Sequence, residues 1–471
     1  MIESKSLEPK NVKRFDLIVI GSGAGLEVAN AVAQTGMKVA IIEKSRMGGT
    51  CLNRGCIPSK LLIHSADIAE IIKTAQVFGI GVKKFTIDFR KIIDRVNNII
   101  DSDSNDIRKA FDGSENPKLF QLECTFVDEK TLLVGRDKIS SKIILIAAGT
   151  RPAIPKIKGL ERTNYLTSDE ALRIPRQPKV LTIIGGGYIA AELGHFFGSL
   201  GTKINIIQKH NNLIHNEDYE ISKKFTEIFS KKYNVCLQCI PERVTKKNGK
   251  FVVSAKKSRT NRYLEIESDQ LLLATGRVPN SDTLNLSDTG VDVNEDGYIN
   301  VDKNLETNVK GIFALGDIIG RYQFRHSANL EAQYAYYNML NHKKKIPVDY
   351  GAMPRAIFSS PQVAGVGYTE QELKQSGKKE YSKSIYRYID TAMGKALEEK
   401  EGFVKLLVSK ENRKVLGCHI LGSQASVLIH EVLVAIKSGD GTIDNIAKTV
   451  HVHPALSEVI AKAAVAMERN S

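Results

Sequence analysis

The distribution of apolar residues predicts the same local unit twice: a buried strand, a glycine turn, a helix and a second strand. The first unit starts with the apolar run Phe15 to Ile20, passes through Gly21-Ser22-Gly23-Ala24-Gly25, and ends with the run Val39 to Ile42. The second starts with the run Val180 to Ile184 and enters Gly185-Gly186-Gly187. Buried strands joined by helices are typical of α/β folds with parallel sheets. The pattern therefore predicts an α/β protein with two Rossmann-like domains.

The first glycine turn has the spacing of a dinucleotide-binding fingerprint. Gly21 permits a tight turn, and Gly23 lets the backbone approach a pyrophosphate at the positive end of the following helix. Glu43, 22 residues after Gly21, is placed to accept hydrogen bonds from a ribose. Leu26 replaces the third glycine of the fingerprint. We expect this replacement to weaken the packing of helix on strand but to leave the phosphate site intact.

The second turn satisfies the fingerprint in full, with Gly185, Gly187 and Ala190 at the three positions. A repeat of this kind could also reflect duplication without function. Small residues at both phosphate turns argue against that interpretation. The sequence therefore predicts two dinucleotide-binding sites.

Two cysteines, Cys51 and Cys56, lie close together in the segment GGTCLNRGCIPSK. A disulfide stabilises a fold mainly by closing a long loop, and this loop is short. Structural zinc usually takes two close pairs of ligands, and no second pair flanks this one. Two interpretations remain open from the residues alone, which are two unrelated thiols or a redox-active pair.

The ordered combination of motifs resembles the class I pyridine nucleotide-disulfide oxidoreductases, from about residue 14 to the C-terminus. It consists of the first fingerprint, GGTCLNRGCIPSK, the second fingerprint, the strand ends AAG and ATGR, GIFALGDI and HVHPALSE. The resemblance implies a glutathione-reductase-like fold with FAD in the first domain and NAD or NADP in the second. It also implies an α+β C-terminal domain that forms a homodimer. The expected segments are 1–155 and 277–349 for the FAD and central domain, 156–276 for the NAD(P) domain and 350–471 for dimerisation.

By this resemblance, Cys56 is the thiol that contacts the flavin and Cys51 is the thiol that exchanges with substrate. Residues five apart in a regular helix are too distant for a disulfide, so we expect Asn53-Arg54-Gly55 to form a distorted turn. A helix N-terminus at this point would lower the pKa of a thiolate.

The remaining catalytic residues are also implied by the resemblance. Lys60 is expected near the flavin and paired with Glu192. His453 and Glu458 resemble an acid-base dyad that acts on the cysteines of the other subunit. An imidazole suits proton transfer near neutral pH, and a carboxylate orients it. Loss of a cysteine or of this dyad would favour a non-enzymatic role, and all these residues are present.

Further residues of the cofactor sites follow from the same comparison of motifs. The expected FAD residues are Gly21, Gly23, Gly25, Glu43, Lys44, Gly49, Thr50, Lys60, Ala148, Gly149, Gly316 and Asp317. The expected NAD(P) residues are Gly185, Gly187, Tyr188, Ile189, Ala190, Gln208, Lys209, Gly276 and Arg277.

Different motifs of the chain resemble family members that act on different substrates. GGTCLNRGCIPSK and the His451-Val452-His453-Pro454 pattern are most similar to dihydrolipoamide dehydrogenases. By this resemblance the leading prediction is the oxidation of a lipoyl dithiol by NAD, with association with a lipoyl-bearing complex. Leu26 and the segments SQASVLI and HPALSEV are similar to mycothione reductase. The chain ends AVAMERNS, which disfavours a mercuric reductase or a large thioredoxin reductase.

The nicotinamide preference is a separate question. Gln208 stands where NAD enzymes of the family have an acid, and Lys209 stands where reductases of small disulfides have a cation. We therefore expect a preference for NADPH, and we keep a reductase of a small-thiol disulfide as the alternative function.

Composition adds only broad limits. The chain is 42% hydrophobic with no run long enough to span a membrane, and its first fourteen residues are polar, so we expect a cytoplasmic protein. We assign the net charge of +14 to solvated surface rather than to nucleic acid. We expect no metal site, and we expect ordinary packing for Cys236, Cys239, Cys124 and Cys418.

Overall fold

The computed structural model describes residues 12–377 and 380–468. Residues 1–11, which belong to the polar N-terminal stretch used for the expectation of a cytoplasmic protein, and residues 469–471 of the AVAMERNS ending lie outside the described residues. The chain separates into two compact units. Unit 1 contains the chain up to Pro58, Asp94–Ala153 and Arg277–Tyr350; unit 2 contains Ser59–Ile93, Ile154–Gly276 and the chain from Gly351.

Strands are distributed along the whole chain. They are β1 Lys13–Ile20, β2 Val39–Ile42, β3 Lys118–Phe120, β4 Cys124–Asp128, β5 Thr131–Val134, β6 Asp137–Ile146, β7 Thr150–Pro152, β8 Val180–Ile184, β9 Lys203–Gln208, β10 Asn234–Leu237, β11 Cys239–Lys247, β12 Lys250–Lys257, β13 Tyr263–Ser268, β14 Gln270–Leu273, β15 Arg277–Pro279, β16 Ile312–Ala314, β17 Arg355–Ile357, β18 Val363–Gly367, β19 Tyr381–Arg387, β20 Phe403–Ser409 and β21 Val415–Leu421.

A helix follows each of the two glycine turns, and the last three helices pack on the C-terminal sheet. The helices are α1 Gly25–Ala33, α2 Gly49–Arg54, α3 Cys56–Thr74, α4 Phe89–Lys109, α5 Ser168–Ala171, α6 Tyr188–Ser199, α7 Tyr219–Lys232, α8 Arg325–Leu340, α9 Glu370–Gln375, α10 Ala392–Ala396, α11 Ala425–Lys437, α12 Asp444–Ala447 and α13 Glu458–Glu468. None of the helices within residues 12–377 and 380–468 is both long and apolar enough to cross a bilayer.

Unit 1 is built on a seven-stranded sheet in the order β3-β2-β1-β6-β5-β4, with β16 pairing with β6. Strand β1 pairs in parallel with both β2 and β6, and its residues Leu17 to Ile20 are buried. Helix α1 packs closely on this sheet because Gly25 lacks a side chain: a Cβ atom there would lie 2.8 Å from Val19 Cγ1 and 3.1 Å from Ala147 Cβ. The weaker helix packing that we expected from Leu26 is therefore wrong, since the close approach is made one residue earlier.

The described residues of unit 2 form three sheets. The parallel sheet β10-β9-β8-β14 carries the second glycine turn, and β11-β12-β13 form an antiparallel sheet. The antiparallel sheet β17-β18-β21-β20-β19 packs against α11, α12 and α13 around a buried apolar core. The predicted class, two Rossmann-like domains with an α+β C-terminal domain, is confirmed.

Candidate active site

The two cysteines of GGTCLNRGCIPSK lie on two successive helices that a single residue separates. Cys51 is inside α2, Cys56 is the first residue of α3, and Gly55 separates the helices with φ −141° and ψ −118°. The predicted distortion is thus present but confined to Gly55, because Asn53 and Arg54 remain helical. Neither cysteine is in a disulfide, and Cys51 is half-buried whereas Cys56 is exposed.

The groups around the cysteine pair shift the pKa of Cys51. The pKa of the Cys51 thiol is raised, first by a hydrogen bond with the Cys56 side chain and second by burial, while the Arg325 guanidinium acts in the opposite direction. A hydrogen bond that stabilises the protonated thiol disfavours its ionisation to the thiolate. Cys51 in the reduced protein is therefore a thiol at neutral pH and needs a base to become a nucleophile.

The first glycine turn is tied to Glu43 through a serine. The backbone N–H and the hydroxyl of Ser22 donate to Glu43 Oε2 at 3.0 and 2.7 Å, and Gly48 N–H donates to Ser22 Oγ at 3.0 Å. A Cβ atom on Gly49 would lie 2.7 Å from Gly23 Cα. The turn therefore presents bare backbone to a ligand, with Glu43 fixed beside it.

A second set of polar groups in unit 1 surrounds Asp317. Thr150 donates from its hydroxyl to Asp317 Oδ2 at 2.9 Å, and Arg277 Nε donates to Thr150 Oγ1 at 2.8 Å. Burial raises the pKa of Asp317. Arg277, which we expected in the NAD(P) site, thus contacts Thr150 beside Asp317, a residue that we expected in the FAD site. Glu331, which is fully buried and also has a pKa raised by burial, accepts from Gly316 N–H at 2.6 Å.

These residues fit a dinucleotide cofactor in unit 1. The backbone at Gly21 and Gly49 leaves no room for side chains, and a Cβ atom on Gly21 would lie 2.3 Å from Ala147 O. Asp317 is a half-buried carboxylate next to Gly316, which has φ 76°, and there it is available to a ligand hydroxyl. The other expected FAD residues of this unit lie at strand or helix ends, namely Lys44, Thr50, Ala148 and Gly149.

The second glycine turn joins β8 to α6 in unit 2. Gly185 has φ 108°, and a Cβ atom on it would lie 2.1 Å from Ala274 O. Gly187 precedes Tyr188, the first residue of α6, so the N-terminus of that helix faces the turn. Ala190 is fully buried, as the third small residue of the fingerprint should be. Ile189 follows Tyr188 in the first turn of α6, and Gly276 has φ 114° after β14.

Strand β9 ends in a neutral residue, and a basic residue follows it. Gln208 is 4% exposed and donates from Nε2 to Asn212 O at 3.4 Å, whereas the next residue, Lys209, is exposed. The rings of His210 and His215 stack with centroids 3.8 Å apart. Burial and the charge of Lys209 lower the pKa of both histidines, with His210 adding to the effect on His215.

Two acidic residues follow this loop, and both are paired elsewhere in unit 2. Glu217 accepts from Arg355 Nε at 2.9 Å and from the Tyr188 hydroxyl. Asp218 accepts from the fully buried Lys405 at 2.9 Å. Their charges are therefore compensated and do not balance Lys209.

Lys60 and Glu192, 132 residues apart, form an ion pair. Lys60 Nζ lies 2.8 Å from each oxygen of Glu192, and Phe358 N–H donates to Glu192 Oε1 at 3.1 Å. Lys60 Nζ also lies 4.6 Å from the centre of the Phe358 ring. Because Glu192 is 9% exposed, this ion pair lies in a partly desolvated site, where charge-assisted hydrogen bonds are strong.

His453 is oriented by Glu458 and exposed on its other side. His453 Nδ1 lies 3.0 Å from Glu458 Oε1, and this hydrogen bond lowers the pKa of Glu458. The His453 side chain is 72% exposed. Its other ring nitrogen makes no hydrogen bond to the described residues. The neighbouring His451 is held by Glu431, with Nε2 2.5 Å from Oε1.

Sequence reasoning missed several of these groups. Ser22 and Glu331 are buried polar residues whose contacts join distant segments, and the one available signal was a small polar residue within the glycine turn. Cys124 and Cys418 are free and buried, as predicted. The expectation of ordinary packing is wrong for Cys236 and Cys239, which form a disulfide.

Comparison with known proteins agrees with these motifs. Residues 15–332 match the family model described as pyridine nucleotide-disulphide oxidoreductase, and residues 353–464 match the dimerisation domain of the same family. Mycothione reductase of Mycobacterium tuberculosis H37Rv is 33% identical over 96% of this chain and 99% of its own. Dihydrolipoyl dehydrogenase of Bacillus subtilis is 31% identical over 96% of this chain and 98% of its own. Among solved structures, the flavoprotein disulfide reductase RclA of Escherichia coli superposes with a TM-score of 0.85 at 26% identity, over 96% of this chain and 99% of that chain.

Proposed function

Since the chain belongs to the pyridine nucleotide-disulphide oxidoreductase family, whose members use FAD and NAD(P)H, we propose that it is an NADPH-dependent reductase of a low-molecular-weight disulfide. The observation that carries the choice of dinucleotide is the end of β9, where Gln208 is neutral and Lys209 is an exposed cation. A carboxylate at this position would bind both ribose hydroxyls of NADH and repel a 2′-phosphate. A cation pairs with that phosphate.

The chemistry assigned to the protein residues is thiol–disulfide exchange. Cys51, deprotonated, attacks one sulfur of the substrate; a mixed disulfide forms and the first product thiolate leaves. Cys56 then attacks Cys51 Sγ, so that the second product leaves and a Cys51–Cys56 disulfide forms. When bound, FAD and the nicotinamide supply the two electrons that restore the dithiol. Ser22, Glu43 and Asp317 would hold the FAD, and the glycine turn at α6 would hold the pyridine nucleotide.

Proton transfer is assigned to His453 of a second subunit. The raised pKa of Cys51 creates the need for a base, and His453 has one ring nitrogen oriented by Glu458 and the other exposed. The same surface carries exposed apolar side chains, Val450 at 95% and Val452 at 76%. An apolar surface around a catalytic group is expected if a second copy covers it. The match to the dimerisation domain supports a homodimer.

Dihydrolipoyl dehydrogenase is the second candidate, because GGTCLNRGCIPSK and the His451-to-Pro454 pattern are similar to that enzyme, and relatives of that name share 31 to 33% identity. In that case the dithiol of a lipoyl group would be oxidised and NAD reduced, with a lipoyl-bearing complex as the partner. The same four side chains, Cys51, Cys56, His453 and Glu458, would carry the exchange in the opposite direction.

The two candidates are separated by steady-state kinetics on the FAD-loaded enzyme. For the reductase, kcat/KM for NADPH with low-molecular-weight disulfides should exceed that for NADH by about tenfold or more, since one charge-assisted contact contributes about 1.5–3 kcal/mol. Lys209→Ala should remove most of this preference, and Lys203→Ala, an exposed lysine at the other end of β9, is the matched control. A wild-type preference for NADH together with fast oxidation of dihydrolipoamide by NAD would reject the reductase and favour the second candidate.

A further inference from the structure

A second pair of sulfurs lies beside the pyridine-nucleotide site. Cys236 is in β10, Cys239 begins β11, and a disulfide joins them. Strand β10 pairs in parallel with β9, so that Leu237 is the register partner of Gln208, the last residue of β9. The disulfide therefore closes a turn that lies one strand away from the residues assigned to the adenosine ribose.

The closed turn is hydrogen-bonded directly to the loop after β9. Gln238 N–H donates to His210 O at 3.1 Å, and the Gln238 side chain donates to Asn211 Oδ1. On its other side, Gln238 O accepts from Ser258 N–H at 2.8 Å. The position of the His210 backbone thus depends on the conformation of Gln238.

Gln238 has an unfavourable backbone conformation. Its φ of 56° lies in the left-handed region, which residues with a side chain rarely adopt. A disulfide between cysteines three apart removes little entropy from the unfolded chain, so a general stabilising role explains it poorly. Its direct effect is local, because it holds Gln238 in this conformation and so holds the loop that follows Gln208.

We propose that the Cys236–Cys239 disulfide is a redox switch on the pyridine-nucleotide site, opened by low-molecular-weight dithiols. Reduction frees Gln238 to leave the left-handed region, the loop at His210 loses its support, and the nucleotide must then order the loop on binding. The inference goes beyond the proposed reaction and does not depend on the choice of NADPH or NADH, since both place an adenosine ribose at this strand end.

The exchange balances with the dithiol as reductant. Cys236 is 8% exposed to solvent and Cys239 is fully buried, so the incoming thiolate reaches Cys236 Sγ first. A mixed disulfide forms there, the Cys236–Cys239 bond breaks, and Cys239 leaves as a thiolate that takes up a proton. The second thiol of the reductant attacks the mixed disulfide, which releases Cys236 as a thiol and the reductant as a cyclic disulfide. Two electrons and two protons enter the protein.

The test uses the FAD-loaded, full-length protein carrying Cys51→Ser and Cys56→Ser, so that the pair of the proposed active site cannot respond. Protein prepared without reductant is compared with protein treated with dithiothreitol and desalted under argon. Maleimide labelling after unfolding, read by peptide mass spectrometry, reports the state of Cys236 and Cys239. Calorimetry then gives Kd for NADP⁺ and for NAD⁺ in each state.

The expected result is an unlabelled pair before treatment and a rise of Kd for the preferred nucleotide by about three- to tenfold after it. Adding Cys236→Ser and Cys239→Ser should give the weaker Kd in both states, whereas adding Cys418→Ser, a buried thiol of the same unit, should leave the response intact. A labelled pair before treatment, or equal Kd values in the two states, overturns the proposal. The comparison of the two states decides it even if the serine variants fail to fold. Loss of NADPH preference alone would reject the proposed function and not the switch.

Discussion

Gly55 lies directly against Cys51: a Cβ atom added to residue 55 would lie 3.3 Å from Cys51 Cα and 3.0 Å from Thr50 O. These distances are tighter than ordinary van der Waals contacts, and both neighbours are backbone atoms that cannot rotate away. The absence of a side chain at residue 55 is therefore what lets α3 start beside the end of α2. The approach of Cys56 to Cys51 depends on it.

The first prediction is that Gly55→Ala impairs the pair without loss of FAD. Overpacking of this kind costs about 1–3 kcal/mol, so kcat/KM for the disulfide substrate should fall by about tenfold or more. Formation of the Cys51–Cys56 disulfide in air, measured by thiol titration, should slow in parallel. Gly81→Ala is the matched control, because the structure shows open space around that position. Wild-type rates in Gly55→Ala would contradict this account.

The second prediction concerns the pKa of Cys51. Its hydrogen bond with Cys56 favours the protonated form, so Cys56→Ala should lower the pKa of Cys51 and make more thiolate available at pH 8. Alkylation of Cys51 by iodoacetamide in the reduced protein should be at least about threefold faster at pH 8, and the midpoint of its pH profile should move to lower pH. Cys56→Ser keeps a hydrogen-bonding group and should stay closer to wild type. A slower reaction in Cys56→Ala would show that another group controls Cys51.

The third prediction is a pH dependence of NADP⁺ binding. The pKa values of His210 and His215 lie below the usual value, so both imidazoles are neutral at pH 8. A 2′-phosphate nearby favours their protonated forms and raises their pKa values on binding. Proton uptake on binding means that affinity increases as pH falls. Kd for NADP⁺ should therefore decrease by about three- to tenfold from pH 8 to pH 6, with a smaller change for NAD⁺. His210→Asn and His215→Asn should each flatten the NADP⁺ curve, and equal slopes for both nucleotides in wild type would exclude this role.

The local units of the fold could be predicted because they are encoded in short stretches. Each apolar run, glycine turn and helix lies within about thirty residues, and the spacing of Gly185, Gly187 and Ala190 is visible without knowledge of the rest. The pairing of Lys60 with Glu192 was different. The residues are 132 positions apart, and only the resemblance to a family connected them.

The groups that the sequence did not reveal are those whose role is set by tertiary contacts. Ser22 bridges Glu43 and Gly48, and Glu331 accepts from Gly316 N–H, yet neither contact has a pattern along the chain. The bond between Cys236 and Cys239 is likewise not visible in the sequence pattern. Their spacing is compatible with packing or bonding, and the turn at Gln238, which brings them together, depends on β9 and Ser258.

The last prediction is that His453 acts on the cysteines of the other subunit. His453 is held by Glu458 and is 72% exposed, and residues 353–464 match a dimerisation domain. In a symmetric dimer, a heterodimer of His453→Ala and Cys51→Ser subunits has one site with every group intact and one site with neither. Each variant alone should be nearly inactive, and a mixture at equal amounts should recover about one quarter of wild-type activity after subunit exchange. His451→Ala provides the control for a neighbouring histidine that is already paired with Glu431. Exchange demonstrated by mass spectrometry with no recovery of activity would place His453 in the same subunit as the cysteines that it serves, or outside the reaction altogether.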